Sequence, residues 1–331
     1  MKRNKLWTFI MVLAITALVA ACGGKTNENG NGNPPTKDTN ELGKDVVQQD
    51  QLQVVTSFTI IQDLAREIGG DDVAIYNLVP TGTDPHEYEP LPEDIKRASD
   101  ADILFYNGLN LEGGTSGWFF KMVDAVGQKE ENIFNLTERV EPLYIGGSDG
   151  HEAEINPHAF IDPAVGVKMA EDMRDAFVKK DPEREARYIE RATTYIERLK
   201  KMDKLYAEKF NEIPAEKRVL VTSERAFQYM TTNYGLEEAF IWEIDTEENG
   251  SPKQIKELVT FLKQANVPVL FIESNVDPRP METVANESGV PIAEKRIYSD
   301  EIGKPGDEVD TYMKYLQYNI DLIHSELTKE R

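Results

Sequence analysis

The sequence is poor in the residues from which many reactive sites are made. In 331 residues there is one cysteine, Cys22, and there are only four histidines. A lone thiol can form neither an internal disulfide nor a thiolate zinc cluster, so both are excluded. No apolar run after residue 21 is long enough to cross a bilayer, so any membrane attachment must come from the N-terminus. Positive charge is also scarce: 37 Lys and Arg stand against 59 Asp and Glu, a formal net charge of −22. Such a surface repels nucleic acid and anionic lipid and draws cations, although salt screens its field within roughly 8 Å. There is no Gly-x-Ser-x-Gly elbow, no phosphate-binding glycine loop and no cysteine pair.

What is present begins with an export signal. Lys2, Arg3 and Lys5 precede an apolar stretch from Leu6 to Ala21, for which a signal-anchor helix is the competing reading. Leu18-Val19-Ala20-Ala21-Cys22 is similar to the lipobox of bacterial lipoproteins, in which cleavage precedes the cysteine and a diacylglyceryl group is attached to it. Acylation at Cys22 would anchor the chain without a spanning helix. Loss of residues 1–21 removes three basic and no acidic residues, taking the formal charge from −22 to −25. Residues 22–50, rich in Gly, Asn, Thr and Pro, bury too little to offset the entropy of ordering and are expected to be a flexible tether.

The full length of 331 residues exceeds what one core usually organises, and the composition of the whole chain, 40% hydrophobic and 29% charged, is that of a soluble protein. Short apolar runs alternate with helical periods: QVVTSF, IIQDLAREIGG, VAIYNLV, LPEDIKRASDA, DILFYNG, WFFKMVDAVG and IFNL. PAVGVKMAEDMRDAFVKK then leads into a stretch from Asp181 to Phe210 without glycine, in which Ala186, Ile189, Ala192, Ile196, Leu199 and Met202 recur at helical spacing. A rod of that length, about 45 Å, suits the joining of two lobes. A second α/β series follows, including the strands KRVLVTSE, EAFIWEI, VPVLFIES and VPIAEKRIYSD and a final helix from Asp307 to about Leu327. The expected domains are residues 51–180, a linking helix at 181–210, and 211–331. Val54-Val55-Thr56-Ser57-Phe58 echoes Leu220-Val221-Thr222-Ser223-Glu224, which reads as a duplicated architecture or as ordinary strand-to-helix vocabulary. Ligands of open parallel sheets bind at the carboxyl ends of strands, where Glu224 stands.

His86, in TGTDPHEYEP, and His158, in NPHAFIDP, are each held by neighbouring prolines on non-helical segments. Either alone reads as a surface residue; two such similar loops in the first half point to a ligand pair. Asp84 and Asp162 read as partners of these rings or as turn formers. His151, in a Gly-rich acidic loop, reads as solvated with a subsidiary metal contact as the alternative, and His324, in the last helix, as structural or surface. Glu224 ends an apolar strand where a bare charge is costly, and Asp300 follows the strand-like PIAEKRIYS; each also reads as a helix cap or turn residue.

At these residues the sequence resembles the metal-specific solute-binding lipoproteins of bacterial ABC transporters, most closely the manganese branch that includes streptococcal lipoproteins once described as adhesins. The likeness runs from about Leu52 onward and includes DPHEYEP at 84–90, NPHAFIDP at 156–163, VLVTSERAFQYM at 219–230, AFIWEIDTEENGSPKQI at 239–255, LFIESNVDPRPMETV at 270–284 and IYSDEIGKPGD at 297–307. It implies two α/β lobes, each a small parallel sheet flanked by helices, joined by one long rigid helix. It also implies one divalent ion held by His86 and His158 from the first lobe and Glu224 and Asp300 from the second. The zinc branch usually has histidine at the position of Glu224 and a long His-rich loop, whereas GGSDGHEAE here holds one histidine, which favours Mn²⁺ over Zn²⁺. Carboxylate-rich sites suit Mn²⁺, although Zn²⁺ binds most sites at least as tightly. The implied setting is a monomer anchored by lipid on the outer face of the cell membrane, delivering metal to a permease driven by a cytoplasmic ATPase. A zinc, mixed or iron receptor is the alternative, with an adhesin or a metalloenzyme more remote. Against an enzyme, four ligands can saturate one ion and leave no open position or separate general base.

Overall fold

The structure, a computed structural model, describes residues 51–146, 154–244 and 250–330. The signal segment, Cys22, the tether and His151 lie outside the described residues. Residues 49–331 form one compact unit.

In the first lobe, β1 (Leu52–Phe58), α1 (Thr59–Gly69), β2 (Val73–Val79), α2 (Pro92–Asp100), β3 (Ile103–Tyr106), α3 (Trp118–Ala125) and β4 (Ile133–Asn135) alternate as read from the sequence. The strands pair in parallel in the order β2-β1-β3-β4, with Val54 facing Ile75 on one side and Ile103 on the other. Because β1 is central, its last five residues are all buried. This explains a continuous apolar run rather than an alternating one. A short antiparallel pair, β5 (Tyr144–Ile145) and β6 (Glu154–Ile155), precedes α4 (Pro163–Lys180).

The long helix α5 spans Glu185–Glu212 after a 3₁₀ turn at Pro182–Arg184. Its 28 residues extend about 42 Å. The buried stripe is Tyr188, Ala192, Tyr195, Ile196, Leu199, Met202, Tyr206 and Phe210, while Ala186 and Ile189 of the expected stripe are exposed. The aromatic face wins because its rings are large enough to reach α1 and α4, and Tyr188 stacks on Phe177 of α4. The helix is therefore packed along its length rather than standing free between lobes.

The second lobe contains β7 (Val219–Glu224), α6 (Gln228–Tyr234), β8 (Glu237–Trp242), α7 (Pro252–Leu262), α8 (Arg279–Ser288) and α9 (Tyr312–Thr328). Parallel β7 and β8 continue through Phe271, whose N–H bonds the Val221 carbonyl, to single bridges Leu270–Ile292 and Glu273–Ile297. The sequences VPVLFIES and VPIAEKRIYSD are thus extended but not regular strands; Pro268 and Pro291 bring no N–H to a ladder. The last helix starts at Tyr312, not Asp307. Asp307 instead closes a turn by accepting the Lys304 N–H, and Thr311 caps the helix by accepting from Lys314. α9 crosses back onto the first lobe: Asp63 of α1 accepts the Tyr312 N–H at 2.8 Å, and the Tyr206 hydroxyl of α5 donates to the Leu316 carbonyl at 2.7 Å. One continuous core accordingly includes side chains of α1, α4, α5 and α9, with a smaller core beneath β7, β8, α7 and α8.

Candidate metal centre

The loop after β2 presents His86. The Trp118 indole N–H donates to the Pro85 carbonyl at 2.9 Å, the Trp118 ring packs edge-on against Tyr88, and Asp84 accepts the His86 N–H at 2.7 Å. Asp84 is thus a turn former. His158 opens a 3₁₀ turn, His158–Ile161, and is fully buried. Asn156 fixes it twice, accepting its backbone N–H at 3.1 Å and lying 2.9 Å from Nδ1. An amide oxygen only accepts, so Nδ1 carries the hydrogen and Nε2 presents a lone pair. Asp162 caps α4 and accepts from Asn233 of α6, so its role is to join lobes rather than to orient the ring.

From the second lobe, Glu224 ends β7 with no exposed surface, and Asp300 is 3% exposed. The strip around Asp300 is pinned by α9, since Tyr315 donates to the Ser299 carbonyl at 2.9 Å and Asn319 accepts the Tyr298 N–H at 3.1 Å. It is also pinned to the first lobe: Thr81 donates to the Ile302 carbonyl, the Gly82 N–H to the Glu301 carboxylate, and the Ile302 N–H to Thr59.

His86, His158 and Asp300 meet, and Glu224 borders them through His158. His158 Nε2 lies 3.2 Å from His86 Nε2, 3.1 Å from Asp300 Oδ1 and 3.7 Å from Glu224 Oε1, and His86 Nε2 is 3.8 Å from Asp300 Oδ1. Burial opposes charge on His86, but Asp300, Glu224 and Asp84 outweigh it and raise its pKa to about 10. Burial holds His158 below the usual imidazole range despite Asp300. For Asp300, burial alone would raise the carboxyl, yet the facing imidazoles hold it well below the usual carboxylate range. Two imidazoles and two buried carboxylates turn toward one another, a donor set that a divalent cation matches. His324 is elsewhere, 2.8 Å from Glu212.

Sequence reasoning passed over Trp118 and Asn156. Asn156 had a readable signal, an Asx residue two positions before the ring it holds; Trp118 had none, because its contact with Pro85 spans 33 positions.

The chain is similar to several known proteins. The manganese ABC transporter substrate-binding lipoprotein PsaA of Streptococcus anginosus is 41% identical over 328 residues, covering 98% of this chain and 100% of that protein. The metal ABC transporter substrate-binding lipoprotein SsaB of Streptococcus sanguinis is 44% identical over 281 residues, 84% of this chain and 90% of its own. Among solved structures, the periplasmic zinc binding protein TroA from Treponema pallidum superposes with a TM-score of 0.76 at 26% identity, covering 85% of this chain and 100% of that one. The profile of the family described as ZnuA, zinc-uptake complex component A, periplasmic, matches residues 54–326. With nearly the whole described fold inside that match, the chain belongs to the ZnuA family of metal-uptake substrate-binding proteins.

Proposed function

We propose that this chain captures one divalent transition metal outside the cytoplasm, Mn²⁺ foremost, through His86, His158, Glu224 and Asp300, and hands it to an ABC importer. The observation that carries the reading is the convergence of His86, His158 and Asp300, drawn from both lobes, whose ligand atoms all lie within 4.8 Å of one another, with Glu224 Oε1 3.7 Å from His158 Nε2. The role is transport rather than catalysis, as it is for the family and the named relatives. Two carboxylates favour Mn²⁺, and the relatives named for manganese point the same way. Zn²⁺, alone or alongside Mn²⁺, is the second reading, favoured by the family description and by the TroA name.

In the same reading, residues 1–21 are removed as a signal peptide, Cys22 is acylated, and residues 22–50 tether a monomeric receptor to the outer face of the cell membrane beside its permease. Residues 51–180 and 211–331 each supply two ligands, with 181–210 linking them.

The test is metal analysis of protein purified without added metal, followed by Mn²⁺ and Zn²⁺ titration of the wild type and of Glu224→Ala. One ion per chain in the wild type and weakened binding in the variant are expected. Stoichiometric binding retained after loss of both His86 and His158 would sink the assignment. Manganese uptake by cells lacking the protein tests the transport role.

A further inference from the structure

The block LFIESNVDP contributes no ligand, yet three of its consecutive side chains reach the carboxylate half of the site. Glu273 has no exposed surface, and its partners are main-chain donors: Oε1 accepts the Glu224 N–H at 2.9 Å and Oε2 the Ser223 N–H at 3.2 Å. A buried carboxylate gripping two successive N–H groups fixes both the height and the direction of the strand end from which the Glu224 side chain leaves. Ser274 donates to Glu301, the residue beside Asp300 that accepts the Gly82 N–H of the first lobe. Asn275 Nδ2 lies 3.3 Å from Asp300 Oδ2, the oxygen that Ser299 Oγ also meets at 2.9 Å. Ser299 has one hydroxyl proton, and the carboxylate at 2.9 Å takes it in preference to the Asn275 amide oxygen at 3.2 Å. With Oδ2 so occupied, Oδ1 is the oxygen turned toward His86 and His158.

We propose that Glu273 and Asn275 are positioning residues that set the spacing and rotation of the Glu224 and Asp300 carboxylates, and so the preference of the site between Mn²⁺ and Zn²⁺. This rests on the reading that those carboxylates take the metal. The physical reason is coordination number. Zn²⁺ is satisfied by four donors, whereas harder ions favour more oxygen donors, so the rotation of each carboxylate decides how many oxygens can reach the ion. Groups that orient metal ligands commonly change affinity by about 10–100-fold when removed.

The experiment is competitive titration of Mn²⁺ and Zn²⁺, with Mn²⁺ electron paramagnetic resonance, on the wild type, Glu273→Gln, Ser299→Ala and Asn275→Ala. Gln keeps the volume of Glu273 but offers one acceptor oxygen for two N–H groups. Glu273→Gln is expected to weaken both ions about tenfold or more and to change the Mn²⁺/Zn²⁺ affinity ratio at least threefold, with an altered Mn²⁺ spectrum. Ser299→Ala and Asn275→Ala are expected to change the ratio and the spectrum while leaving the melting temperature of metal-free protein within a few degrees. Asn275 is exposed, so its variant folds whatever the fate of the buried ones. Ratios within twofold of wild type and unchanged spectra in every folded variant would overturn the proposal while leaving the metal site standing. A wild type that binds neither ion would overturn the site itself.

Discussion

Asn156 Oδ1 sits 2.9 Å from His158 Nδ1, while its amide nitrogen donates to the Arg225 carbonyl at 2.8 Å and to Gln228 at 3.1 Å. One buried side chain thus fixes the tautomer of a first-lobe imidazole and holds the segment just beyond Glu224 in the second. Asn156→Ala is expected to weaken Mn²⁺ and Zn²⁺ binding by about 10–100-fold, read by calorimetric titration. Unchanged affinity would show that the ring is oriented by its surroundings without the amide.

Glu224 distinguishes a site with two carboxylates from one with three imidazoles. Glu224→His should favour Zn²⁺ over Mn²⁺ by at least about tenfold relative to the wild type, because nitrogen donors suit Zn²⁺. Competition between the two ions measures it, and an unmoved ratio would mean that Glu224 is not a ligand.

Acid should act on the metal-free fold and on the metal in opposite directions. Burial raises Asp63 and Asp162 to about 6 from an ordinary 3.8. Below about pH 6 the folded state therefore holds protons that the unfolded chain does not, and stability rises as pH falls through that window. Between pH 7 and 5 the gain is about 1 kcal/mol for each. Metal binding needs unprotonated imidazole nitrogens, so the stabilisation by Mn²⁺ should shrink over the same range. Denaturant unfolding at both pH values, with and without Mn²⁺, measures both slopes. A metal-free protein that loses stability from pH 7 to 5 would show these carboxyls to be ordinary.

Gly166 of α4 faces Tyr312 of α9. A β-carbon there would lie 2.7 Å from the Tyr312 hydroxyl oxygen, whose proton is donated to the Phe160 carbonyl. Gly166→Ala is expected to cost about 1–3 kcal/mol of stability, since the fully buried ring has little room to retreat. A melting temperature within a degree of wild type would show that the interface gives way freely.

Much of this was legible in the sequence because it is written locally. The alternation of QVVTSF, IIQDLAREIGG and VAIYNLV needs only period and length to be read, and Pro85 and Pro157 mark the loops of both histidines. What was hidden depends on partners distant in sequence. Periodicity along α5 allowed Ile189 or Tyr188 to face inward, and the choice was made by Phe177. The segment from Val267 to Glu273 has strand composition, yet its proline and single bridges leave it irregular. Glu273 itself looked like one more carboxylate among 59 acidic residues.

The return of α9 onto α1 also bears on how the chain reaches this structure. Asp63 and Tyr312 are 249 positions apart, so the first lobe buries its opening helix fully only when nearly the last twenty residues are in place. Contacts of that separation form late and slowly. A chain in which α9 has not yet docked would therefore leave both the opening helix and the strip around Asp300 unpinned.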